Sequence, residues 1–108
     1  MTIEDFRQFI DEQHAFFAKA KKQTKKDRVF ARTIKLGEEY GELCDQVLAS
    51  VGDQRKTKLA RGKANDLESE FADVLIVTFM LAKAMNVDIM QALDRKVKKI
   101  KEKHNKQF

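Results

Sequence analysis

Phe71–Ala82, FADVLIVTFMLA, is twelve residues with a single charged side chain, Asp73, in a chain that is 36% charged overall. At about 100° per residue its apolar side chains go round the whole circumference of a helix, so the helix needs cover on several sides. It is too short to span a bilayer. An ionised carboxylate inside it is costly to desolvate unless it is paired, hydrogen-bonded or bound to a cation. Glu70, one turn earlier, sets a second carboxylate on the same face. Asp73 alone fits a satisfied structural residue. A pair at i, i+3 entering the most apolar helix of the chain points instead to half of a site.

Working outward, 108 residues with no proline, four glycines and abundant Ala, Leu, Lys and Glu predict an all-α chain of four helices, a single domain over 1–108. One cysteine, Cys44, excludes an intrachain disulfide framework, and the start MTIEDFRQFI lacks the basic residues and apolar run of a signal peptide. The expectation is a cytoplasmic protein with no membrane segment. The net charge of +5 admits nucleic acid, a membrane surface or a phosphorylated small molecule, and does not choose among them. Its placement is more informative. Acidic residues gather in Glu38–Asp45 and Asp66–Asp73, basic ones in Lys19–Arg28, Arg55–Lys63 and Arg95–Lys106.

Thr2, with Asp5 three residues on, caps a first helix to about Lys21. Phe6, Phe9, Ile10, Phe16 and Phe17 form its apolar stripe, read as core packing, with stacking of one or two phenylalanines on a planar ligand as the other reading. After the basic connection KKQTKK, Asp27 is expected to cap a second helix from Arg28 to about Val51, stopped by Gly52. Val29, Leu36, Tyr40, Leu43, Val47 and Val51 share one face of it, and Glu39 and Glu42 lie beside that face. Gly37 and Gly41 each cost about 1 kcal/mol relative to alanine in mid-helix. They predict a close approach by another helix or a ligand. Gly52–Ala64 reads as a polar connection. Asn65 with Glu68 is expected to cap the third helix, which runs to about Asn86. Asp88 with Gln91 caps the fourth, Ile89 to about His104, whose apolar stripe of Ile89, Leu93, Val97 and Ile100 is flanked by Lys96, Lys99 and Lys103.

Two helices therefore each carry a carboxylate pair at i, i+3: Glu39 with Glu42, and Glu70 with Asp73. Packed edge to edge they bring four carboxylates together, which repel unless a cation neutralises them. An all-oxygen set selects a hard ion such as Mg²⁺ or Mn²⁺. Iron is disfavoured, since di-iron bundles use Glu-x-x-His pairs and neither His14 nor His104 stands in one.

Glu38-Glu39-Tyr40-Gly41-Glu42-Leu43, then Glu70-Phe71-Ala72-Asp73 with 27 residues between Glu42 and Glu70, resemble the EExxE and ExxD signature of the MazG-type nucleoside triphosphate pyrophosphohydrolases. The resemblance runs from about Arg28 to Lys103. It implies that Glu39, Glu42, Glu70 and Asp73 bind Mg²⁺, with Mn²⁺ a possible substitute, and that Glu38 is a nearby acidic residue, a candidate for orienting or deprotonating water. It implies a phosphate clamp on the last helix, matched by Lys96, Lys99 and Lys103, with Lys35 a further candidate. Ile100 stands where relatives often have asparagine, and Phe or Tyr40 would serve where relatives often use tryptophan around the base. The implied reaction is hydrolysis of a nucleoside triphosphate to monophosphate and pyrophosphate, as nucleotide-pool house-cleaning, by a homo-oligomer, dimer or tetramer.

The rival reading is a basic helical module that binds nucleic acid or another protein without catalysis. It accounts for the lysine-rich segments. It does not account for Asp73 in the apolar helix or for the matched spacing of the two acidic pairs, so nucleic acid is disfavoured as a partner.

Overall fold

The computed structural model describes residues 1–52 and 66–107, and among these the chain is four helices with no strand. They are α1 (Ile3–Ala20), α2 (Lys25–Ser50), α3 (Asp66–Ala84) and α4 (Ile89–Gln107). No described helix is long and apolar enough to cross a membrane. The expected connection beyond residue 52 and the Asn65 cap lie outside the described residues.

Local chemistry sets the boundaries. Thr2 Oγ1 accepts the Asp5 N–H at 3.0 Å and Asp5 accepts the Thr2 N–H at 2.9 Å, a reciprocal box that satisfies two of the orphan donors at the start of α1. The start of α2 departs from expectation. Thr24, not Asp27, is its N-cap: Thr24 Oγ1 accepts the Asp27 N–H at 3.1 Å, and Asp27 lies inside the first turn. There its negative charge still favours the helix dipole. Gly52 at φ 87° closes α2 as expected. Asn86 closes α3 at φ 56°, where the Val87 N–H reaches Ala82 O at 2.9 Å and the Asn86 N–H reaches Lys83 O at 3.2 Å. That is the double bond of a Schellman ending. Asp88 Oδ1 then accepts the Gln91 N–H at 3.0 Å to open α4.

α3 is the hub. It packs along α2, antiparallel to it, and α1 lies against its second half. Ile10, Phe79 and Met80 form the buried core, with Phe6, Ile76, Ile89 and Met90 packed on them and the Phe6 and Phe79 rings edge to face at 4.8 Å. Lys83 Nζ and Asp11 Oδ1, 2.9 Å apart, tie α3 to α1 at the rim. α4 joins this core through its first turn, and from Gln91 to Asn105 its side chains are all exposed.

Much of the apolar surface is uncovered. Phe71 and Leu75 of α3 are 52% and 58% exposed, and Phe16, Tyr40 and Val51, expected on core faces, are more exposed still. Among the described residues nothing makes the predicted close approach at Gly37 and Gly41: a Cβ on either would find nothing within 4 Å. The radius of gyration is 17.2 Å, against about 13 Å for a compact chain of about 100 residues.

The cap assignment is testable by urea unfolding. Thr24→Ala should cost about 1 kcal/mol, the usual loss for an N-cap hydroxyl. Asp27→Ala, which removes a favourable charge but no capping acceptor, should cost about 0.3–0.5 kcal/mol. The reverse order would restore Asp27 as the cap.

Candidate metal centre and the adjoining pocket

Where α2 passes α3, Glu39 of one and Glu70 and Asp73 of the other bring carboxylate oxygens within 4.8 Å of one another. The i, i+3 spacing of Glu70 and Asp73 keeps both on the α3 edge that meets α2. Glu39 is the buried charge of the described core, 6% exposed, while Glu70 and Asp73 are half-buried. Glu42 is exposed and stands outside that close set, but near enough to Glu70 for the two carboxyls to share a hydrogen bond. So three of the four expected carboxylates meet directly, and the fourth flanks them.

The charges in this cluster are unevenly compensated. Lys35, one turn before Glu39, places Nζ 3.0 Å from Glu39 Oε1 and 3.8 Å from Glu38 Oε2. Its hydrogen bond to Glu39, aided by the charges of Glu39, Glu38 and Glu42, holds the ammonium above its ordinary range. Glu70 has no such cation among the described residues. Burial, then the charges of Glu42, Glu39 and Asp73, push its carboxyl up to about 7, with the Glu42 hydrogen bond acting in the same direction. Glu39 Oε2 and Glu70 Oε2 are shut off from solvent without a hydrogen-bond partner. Two orphaned buried oxygens in an all-oxygen set are what a hard divalent cation would satisfy, so the residues fit Mg²⁺ or Mn²⁺. Among the described residues, Glu70 and Asp73 make no salt bridge.

The remaining sequence candidates are placed differently. Glu38 is exposed on the far side of Lys35. Lys96, Lys99 and Lys103 are exposed on α4, and no described ion pair joins them to the carboxylates.

Next to the carboxylates is a cavity of about 390 Å³ between α1, α2 and α3. Phe9, Phe17 and Met80 contribute apolar wall, and Gln13, Arg28, Arg32 and Lys35 contribute polar groups. Arg32 is held in place there: its Nη1 donates to Met80 O at 2.7 Å and to His14 Nδ1 at 3.0 Å. A guanidinium cannot accept, so His14 must be neutral with its proton on Nε2. Burial and then the charges of Arg32, Arg28 and Lys83 lower the His14 pKa, against a weaker pull from Asp11, which keeps the ring in that state. The sequence reading passed over these arginines, yet the signal was present. Arg28, Arg32, Lys35 and Glu39 follow i, i+4, i+7, i+11 and fall on one stripe of α2.

A model of the MazG nucleotide pyrophosphohydrolase domain matches residues 31–108, the portion that carries every carboxylate of the cluster. The chain belongs to the MazG nucleotide pyrophosphohydrolase family. No match to a curated protein or to a solved structure is found. The MazG match begins inside α2, so α1 and the Arg28 end of the pocket lie outside it.

The Glu70 carboxyl gives a signed pH test. Its folded pKa of about 7 lies above its ordinary 4.5, so the folded chain binds the extra proton. The stability carried by that proton is full below about 4.5 and is lost as pH rises through about 7. In a chelator the Tm should therefore fall from about pH 5 to about pH 8. Mg²⁺ or Mn²⁺ should restore it increasingly towards high pH, since the metal replaces the proton. Glu70→Gln should flatten the profile and erase the metal-induced shift. A Glu70→Gln chain whose Tm still rose with Mn²⁺ would remove Glu70 from the ligand set.

Proposed function

We propose that the protein hydrolyses a nucleoside triphosphate between its α and β phosphates, giving the monophosphate and pyrophosphate, with Mg²⁺ required and Mn²⁺ an effective substitute. The observation that carries this reading is the meeting of Glu39, Glu70 and Asp73 within 4.8 Å, with two buried oxygens unpartnered, in a MazG-family chain. Glu39, Glu70 and Asp73 would hold the metal, with Glu42 joining from beside Glu70. When bound, such an ion neutralises phosphate charge and lowers the pKa of a coordinated water.

The chain's own groups supply the rest. Glu38 orients the attacking water and takes its proton as oxygen bonds to the α-phosphorus and the α–β bridge breaks. Lys35 stands between Glu38 and Glu39 and faces the accumulating negative charge. The leaving pyrophosphate needs further cations, and Lys96, Lys99 and Lys103 are the family-like candidates. Their exposure on α4, apart from the carboxylates of the same chain, is the reason to propose that they act within an oligomer, reaching a neighbour's site. A homodimer or tetramer would also cover Phe71, Leu75 and the glycine face of α2, which one chain leaves open. Nucleotide-pool house-cleaning in the cytoplasm is the role that such a reaction serves.

Activity, metal binding and oligomeric state each test this reading. A panel of canonical and modified triphosphates should release pyrophosphate with Mg²⁺ and none with EDTA. Asp73→Asn and Glu39→Gln should reduce turnover to background with the helical circular dichroism unchanged. Glu38→Gln should lower kcat by about a hundredfold or more, the usual worth of a positioned base, while keeping the metal-induced Tm shift. Substantial Mg²⁺-dependent turnover in Asp73→Asn would remove the carboxylate centre from the reaction. Light scattering at low micromolar concentration should give a dimer or tetramer, and a fully active 12.5 kDa species would overturn the oligomer.

A further inference from the structure

The pocket beside the carboxylates has a one-sided polarity. Four of its lining residues, Lys21, Arg28, Arg32 and Lys35, are cations, and no carboxylate lines it. These four side chains can donate hydrogen bonds and cannot accept them. Gln13 and Gln23 supply the amide oxygens of the lining. Phe9, Phe17 and Met80 give flat apolar surface of the kind that takes a planar ring.

The pocket adjoins the candidate metal centre through one residue. Lys35 lines it and at the same time holds Glu39 Oε1 at 3.0 Å. Along α2, Arg32 lies about 10 Å and Arg28 about 16 Å from Glu39, at 1.5 Å per residue. A nucleotide laid along α2 with its phosphates at the carboxylates would have its base beside these arginines. Both retain unused donors. Arg28 Nε is buried with no partner. Arg32 spends Nη1 on Met80 O and His14 Nδ1, and its other N–H groups make no hydrogen bond among the described residues.

Resting on the hydrolase reading above, we propose that this pocket reads the nucleobase and takes bases with a carbonyl at pyrimidine C4 or purine C6, uracil, thymine or hypoxanthine, over cytosine and adenine, which carry an amino group there. Arg32 is the specificity-determining donor and His14 the residue that positions it. A carbonyl at that edge accepts from Arg32, and Gln13 offers an oxygen to the ring N–H that accompanies it. An exocyclic amino group would set donor against donor and leave Arg32 without the acceptor that a carbonyl supplies. His14 Nδ1 and Met80 O together fix Nη1, and because the guanidinium is planar they fix the direction of the remaining donors.

The test separates base reading from catalysis. The full chain is titrated calorimetrically, in Mn²⁺, with dUMP, dCMP, dIMP and dAMP, which have no pyrophosphate to lose. Within each pair, dUMP over dCMP and dIMP over dAMP, the carbonyl member should bind about tenfold or more tightly, at the low end of what a site built on hydrogen bonds discriminates. Arg32→Gln should bring both ratios near one. His14→Ala should lower them, and His14→Asn, which keeps an acceptor near the Nδ1 position, should restore them, with Mn²⁺ affinity unchanged in all three. Equal binding within the pairs, no binding of any monophosphate, or a preference that survives Arg32→Gln would overturn the proposal. The wild-type ratios decide the preference even should Arg32→Gln fail to fold. Triphosphate turnover is read separately. Hydrolysis with no carbonyl preference would remove the base reading and leave the hydrolase, and a carbonyl preference without hydrolysis would do the opposite.

Discussion

The repulsion among carboxylates where α2 crosses α3 is the constraint on which the arrangement depends. At 4.8 Å, the limit of separation within the Glu39, Glu70 and Asp73 set, two ionised groups repel by about 3 kcal/mol at an effective dielectric of about 20. Three such pairs would rival the whole stability of a small domain, about 5–15 kcal/mol. The chain offsets one charge with Lys35 at 3.0 Å from Glu39 and a second by keeping a proton on Glu70 up to about pH 7. Asp73 is left to the solvent and to whatever cation the site takes. The packing of the two helices that build the protomer is thus tied to the charge state of the site between them.

That coupling explains why so much was legible in the sequence. A carboxylate pair at i, i+3 repeated on two helices is a pattern that helical periodicity alone converts into a place, and the apolar run around Asp73 fixes that the place is inside. The Thr2 box, the Gly52 and Asn86 endings and the Asp88 cap were readable because each rests on bonds within three to five residues. The start of α2, assigned to Asp27, was misread for the opposite reason. Thr24 and Asp27 form a pair of the same kind as Thr2 and Asp5, so the residue chosen as cap was in fact the third residue of the helix. Local rules admitted both assignments, and the hydroxyl three residues before Asp27 won because its oxygen meets an N–H that the carboxylate would have left orphaned.

What the sequence could not show is where the helices go. Arg28, Arg32 and Lys35 share a stripe with Glu39, but a stripe of cations is equally a solvated face. It becomes a pocket because α1 returns across α3 and lays Phe9, Gln13 and Phe17 opposite it. The His14 to Arg32 hydrogen bond spans eighteen residues of sequence, and no periodicity announces it. Gly37 and Gly41 announce room beside a backbone, and nothing among the described residues fills that room.

α4 is the helix that the protomer leaves least covered. Its exposed face is rich in lysine, and Leu93, Val97 and Ile100 are each nearly half exposed. Most helix stability in proteins comes from burying an apolar stripe against a neighbour. Intrahelical support such as the 2.9 Å pair between Lys98 and Asp94 contributes a few tenths of a kcal/mol, too little to hold such a helix alone. A stripe and a cationic flank on an uncovered helix, and on another helix a carboxylate centre short of cations for its leaving group, are complementary deficits. The proposed assembly resolves both at once, since the contact that buries Leu93, Val97 and Ile100 is also the one able to bring Lys96, Lys99 and Lys103 to a neighbouring centre.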